Sequence, residues 1–120
     1  MSMDDKLIQL LESFGFPVFL QGSLNKDTAY PNSFFTYWSD ESVDGSHYDN
    51  DAISWVWSFS VYFYSVDPAL VSSIINEQVR KLLKQNGFIV SGKGYDVASD
   101  EPTHTGRGID ALIIERNMEV

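Results

Sequence analysis

The chain has 120 residues, 43% hydrophobic and 14% aromatic, which excludes a disordered chain and leaves room for one core but no separate substrate domain. Eight basic residues against 17 acidic give a formal net charge of -9, which argues against binding nucleic acid by phosphate neutralisation, since that needs clustered Lys and Arg. With no cysteine present, disulfides, thiolate chemistry and cysteine-based zinc sites are excluded.

Met1 to Lys6 lacks the basic-then-apolar pattern of a signal peptide, and no run of about 18 apolar residues offers a membrane span, so a soluble cytosolic chain with no membrane partner is expected. Leu7, Ile8, Leu10, Leu11 and Phe14 recur with helical spacing. Asp4 and Asp5 suit the positive end of such a helix, and Gly15 suits its left-handed stop. Phe16 to Leu20 reads as a first strand, with Pro17 near its start, where a missing N–H is best tolerated. After a polar connection, Phe34 to Trp38 reads as a second strand, and Ser39 to Asp51 as a loop rich in Asp, Ser, Gly and Asn.

From Ile53 to Ser65 the alternation is strict. Ile53, Trp55, Trp57, Phe59, Val61 and Phe63 take one parity, and Ser54, Ser58, Ser60, Tyr62 and Tyr64 the other, which predicts a long half-buried strand with a hydroxyl-bearing outer face. Asp67-Pro68 is an N-cap followed by a residue pre-set for the first turn. The helix it opens carries a stripe of Leu70, Val71, Ile74, Ile75, Val79, Leu82 and Leu83, has Arg80, Lys81 and Lys84 near its negative end, and stops at Gly87. Phe88 to Val90 with Tyr95 to Val97 suggest a fourth strand interrupted by Gly92 and Gly94, and Ile109 to Glu115 a fifth, begun after Gly106 and Gly108. The expected architecture is one α+β domain over residues 1–120, in the order αβββαββ. Its sheet is mostly antiparallel, both helices pack on one face, and the other face stays available.

Candidate chemistry is sparse. Asp40, Ser42, Asp44, Gly45 and Asp51 fall at positions one, three, five, six and twelve of a calcium-loop pattern. The bidentate Glu and the flanking helices of that motif are missing, however, so a solvated hairpin tip, or an arm reaching the next copy, fits as well. Only His47 and His104 are present, which rules out three-histidine zinc. Both read as ordinary surface groups, His47 beside Asp44 and Asp49. Gly106-Arg107-Gly108 lacks the spacing of a phosphate loop and reads as a hairpin turn. Trp55, Trp57, Phe59 and Phe63 share a parity and read as core rather than as a ligand cage, whereas Tyr62 and Tyr64 take the opposite parity, where a partner surface would cover them. No metal, no cofactor and no enzymatic activity are expected. A catalytic site would need carboxylates brought together by folding. Residues 1–60 hold nine acids and two bases, residues 61–120 eight and six, an asymmetry that serves solubility or the head-to-tail packing of copies.

Pro31-Asn32-Ser33-Phe34-Phe35-Thr36-Tyr37-Trp38, the acidic turn with His47-Tyr48-Asp49-Asn50-Asp51, the strand ending Val61-Tyr62-Phe63-Tyr64-Ser65-Val66-Asp67-Pro68, and the following helix with Gly87-Phe88 together carry a resemblance. Over most of residues 4–116 the chain resembles the small tail-completion and tail-terminator proteins of long-tailed phages and prophages, with related neck and minor tail components. The resemblance implies a non-enzymatic α/β subunit that joins itself in a ring, commonly a hexamer. Such a ring caps the tail tube and meets the tail-tube protein and the head-connector protein, after assembly in the bacterial cytoplasm. Terminator and neck roles both stay open, because the N-terminal region matches neither neighbour distinctively. On this reading Asp40, Glu41, Asp44, Asp49 and Asp51 lie at an inter-subunit or lumenal loop, and Tyr62 and Tyr64 on a contact face. The alternative is a small bacterial module whose aromatic face captures a peptide or small ligand.

Overall fold

The computed structural model describes residues 3–21, 30–42, 54–99 and 102–116, with backbone alone at 40–42, 54, 55, 115 and 116. Helix α1 (Met3–Glu12) carries Asp4 and Asp5 in its first turn and buries Leu7 and Leu11. Gly15, at φ +89°, follows its end and donates its N–H to the Glu12 carbonyl at 2.9 Å, the left-handed stop predicted for that position.

A five-stranded sheet follows in the order β1-β2-β3-β5-β4. Strand β1 (Val18–Leu20) runs parallel to β2 (Ser33–Ser42), and the remaining pairs, β2 with β3 (Ser54–Ser65), β3 with β5 (Thr105–Arg116) and β5 with β4 (Ile89–Val97), are antiparallel. Two expectations are corrected. Strand β2 continues through Asp40 and Glu41, which pair with Ser58 and Trp57 instead of starting a loop. Gly106-Arg107-Gly108 is the opening of β5, paired with Tyr64, Phe63 and Tyr62, and not a hairpin turn. Both follow from the length of β3, whose backbone groups need partners on both sides. A long central strand draws Asp, Ser and Gly into its ladders against their low strand propensity.

The second helix is one continuous rod: α2 (Pro68–Ser73), a π-helical stretch (Ile74–Val79), then α3 (Arg80–Gln85). The Asp67 carboxylate accepts the N–H groups of Ala69 and Leu70 at 3.1 and 3.4 Å and so caps the start. At the other end Phe88 N–H reaches the Leu83 carbonyl (3.0 Å) and Gly87 N–H the Lys84 carbonyl (3.3 Å), with Gly87 at φ +90°. That is a Schellman stop. Val71, Ile75, Val79 and Leu83 are all buried at intervals of four. In an α-helix each such step drifts about 40° off the starting face. The wider π turn slows the rotation and keeps all four side chains on the sheet.

Both helices cover one face. Phe35, Phe59, Val61, Phe63 and Ile109 meet Leu7, Leu11, Ile75, Val79 and Leu83 there in a single cluster, with Phe35 and Phe63 ring centroids 4.7 Å apart. Trp57 packs against the same cluster, so Trp57, Phe59 and Phe63 are core, as expected. The side chain of Trp55 lies outside the described residues. The rod carries the chain from β3 to β4, parallel strands with β5 between them. At the β4 edge the register breaks between Ser91 and Tyr95. There Gly92 and Gly94 take φ of +69° and +100°, and their carbonyls accept from Arg80 Nε (3.1 Å) and Arg107 Nη2 (3.2 Å). Arg107 also donates to Asn76 of the π-helical stretch at 2.6 Å and pairs with Asp96 at 2.7 Å. This arginine therefore ties rod, edge and β5 together.

Candidate functional site

Register decides which side chains reach the face away from the helices. Phe34, Thr36 and Trp38 of β2 lie opposite Tyr64, Tyr62 and Ser60 of β3, which in turn lie opposite Gly106, Gly108 and Asp110 of β5. Alternation sends all of them outward. The row has two halves of different character.

At one end the chain covers itself. Phe34 is only 2% exposed, because Phe19, Tyr30 and His104 pack around its ring at centroid distances of 6.1, 5.6 and 5.8 Å while Tyr64 stacks on it at 5.3 Å. His104 is no plain surface group: one ring nitrogen lies 2.7 Å from the Pro31 carbonyl and the other 3.0 Å from the Thr103 hydroxyl. The expectation of a wholly available face is corrected at this end. Phe34, on the solvent parity, needs cover, and His104 and Tyr30 supply it. Tyr64 is therefore a half-buried member of an intrachain cluster. Tyr62 is half-buried too, its ring edge-on to Tyr95 at 6.5 Å. Both tyrosines lie flat over β5. A Cβ at Gly106 would sit 2.6 Å from the Tyr64 ring, and one at Gly108 2.6 Å from that of Tyr62.

The other end is open. Trp38 is 53% exposed, Ile89 57% and Ile114 42%, and a trough of about 620 Å³ runs between β2, β3, β5 and β4, lined by Trp38, Ser58, Ser60, Ser91, Asp110 and Leu112 among others. Among the described residues, Asp110 is the only ionisable side chain in its lining. Asp110 Oδ1 accepts two hydroxyls, Ser60 at 2.9 Å and Tyr95 at 2.7 Å, so the carboxylate is oriented from both neighbouring strands while Oδ2 keeps its acceptor capacity. The Tyr95 ring is 39% exposed, but its hydroxyl is held on that carboxylate. Its pKa lies well above the ordinary 10.0, first through desolvation, then through the bond to Asp110 and the neighbouring Tyr62. Chemically, the trough offers an indole face, several hydroxyls and one positioned negative charge.

Of the residues named from sequence, Tyr62 borders this open half and Tyr64 belongs to the covered one. Asp40 and Glu41 are strand residues, and Asp44, Asp49 and Asp51, with His47, lie outside the described residues. Asp40 and Ser42 pair with Ser58 and Val56, so positions one and three of the calcium pattern belong to a strand. Among the described residues no group of three or more His, Asp or Glu converges, and no helix is long and apolar enough to cross a membrane. Sequence reasoning missed Trp38, Tyr95 and Asp110 as a group. The available signal was parity: Trp38 shares the face of Phe34, and Asp110 that of Gly106 and Gly108. No protein-family model matches the chain, and no curated protein matches it in sequence.

Proposed function

We propose that this chain is a structural, non-enzymatic subunit of a phage or prophage tail. In this reading it is a terminator or completion protein that joins copies of itself into a ring at the head–tail junction, between the tail-tube protein and the head connector, after assembly in the host cytoplasm. One observation carries the self-association: the open half of the sheet, where Trp38 and Ile89 stand exposed around the trough and Ile114 extends the same row. Apolar groups gathered in this way on a polar-rimmed face mark an interaction surface. The net charge of -9 supports the reading as well, because a conduit that DNA slides through must not bind phosphate. The phage context rests on the motif resemblance over residues 4–116.

Light scattering on the purified chain, alone and mixed with a tail-tube protein, tests it. A mass of several copies and ring-shaped particles by electron microscopy are expected, and a monomer under both conditions would sink the proposal. The trough volume of about 620 Å³ favours a second reading, a ligand-binding module, since small-molecule sites occupy that range. A monomer whose tryptophan fluorescence shifts on adding a small ligand would select it.

A further inference from the structure

Among the described residues the trough holds a carboxylate and no base, and the chain carries the complementary surface on its opposite side. Between residues 80 and 93 lie Arg80, Lys81, Lys84 and Lys93, half of the eight basic residues, with no acid among them. Lys81 and Lys84 are exposed on α3. Lys81 also lines a shallow groove between the end of α1 and the rod, with Phe14 and Leu82 at its floor. Helix layer and open sheet face are the two outer surfaces of one two-layer molecule. One presents ammonium groups beside apolar side chains, the other a carboxylate beside Trp38, Ile89 and Leu112.

We infer that the Trp38–Asp110 trough is the receiving half of a head-to-tail contact, and that its occupant is the Lys81/Lys84 face of α3 from a second copy of this chain. Asp110 is already aimed by Ser60 and Tyr95, so accepting an ammonium costs little further ordering. Trp38 lends the cation a ring face, and the exposed Ile89 supplies the apolar rim that shields such a pair from water. The two surfaces differ and face opposite ways, so the contact is heterologous, the kind that closes into a ring or extends as a filament according to the rotation between copies. This inference rests on the ring reading above and adds the residues that make its joint.

Three full-length variants test it by sedimentation velocity, with circular dichroism confirming the native fold of each: Asp110→Lys, the pair Lys81→Glu with Lys84→Glu, and the combination of all three. Reversing either side alone is expected to weaken self-association roughly tenfold or more. Mixing the two single-sided variants is expected to recover assembly in alternating copies, because one joint keeps the native charges and the next carries them exchanged, as in the triple variant. The triple variant, with charges exchanged, is expected to recover assembly. Reversed variants that associate as the wild type does would overturn the inference and leave the ring standing, as would a mixture that associates no better than its two components alone. A wild-type chain that stays monomeric at about 1 mM, where even a weak contact of about 4 kcal/mol would show, both alone and with a tail-tube protein, would overturn both.

Discussion

At the scale of single residues, the glycines of β5 explain where the tyrosines of β3 lie. Gly106 and Gly108 face Tyr64 and Tyr62 across the ladder, and the missing side chains give each ring a backbone to lie on. Alanine in a strand ordinarily gains stability over glycine, by up to about 1 kcal/mol. Here the sign reverses. Gly108→Ala places its Cβ 2.6 Å from the Tyr62 ring and is expected to cost about 1–3 kcal/mol, measured by urea denaturation. Pairing it with Tyr62→Ala should remove most of that cost. The same face makes a pH prediction. Tyr95 holds its proton more tightly folded than unfolded, since its pKa is raised above 10.0. Its contribution to stability is therefore complete below pH 10.0 and is lost as pH rises beyond that towards the folded value. The stability difference between wild type and Tyr95→Phe should stay constant below that point and change above it, and a difference that ignores alkaline pH would refute the assignment. Parity made Tyr62 and Tyr64 legible as outward residues. The cover of this face was not legible, because Tyr30 and His104 pack on Phe34, and Tyr95 on Tyr62, only once the fold brings these residues together.

At the scale of elements, local chemistry wrote the boundaries most clearly. Asp67-Pro68 and Gly87 fixed both ends of the rod, and strict alternation fixed β3. Where the strands on either side of β3 began and ended was decided across the sheet, which is why Asp40, Glu41 and the 106–108 segment read wrongly as loop and turn. The π-helical stretch did leave a trace, since Val71, Ile75, Val79 and Leu83 repeat every four residues, longer than an α-helical turn. The stripe read as an ordinary helix because Leu70, Ile74 and Leu82 fill the alternative positions. Rod stability should depend on its cap. Asp67→Ala removes the acceptor for Ala69 and Leu70 and is expected to cost about 1 kcal/mol, seen as a lowered thermal midpoint with the native far-ultraviolet spectrum retained.

At the scale of the whole molecule, charge governs how copies approach. Each carries -9, so they repel at long range, whereas a contact such as that of Asp110 with Lys81 and Lys84 is short and partly desolvated. Salt screens the first far more than the second. Association followed by light scattering should therefore strengthen as ionic strength rises from low values, and indifference to salt would count against a charge-limited ring.

The margins of the sheet set a further condition on any assembly. On one side β1 is three residues long. On the other, β4 is broken by Gly92 and Gly94, clamped by two arginines and fronted by the exposed Lys93. Among the described residues, neither of these outermost strands offers a neighbouring chain a long straight run of unpaired amides on which to add a strand of its own. Both outermost strands thus resist seeding cross-β fibres from this acidic, aromatic-rich polypeptide, and cohesion between copies falls to side chains on broad surfaces, where it can be tuned one residue at a time.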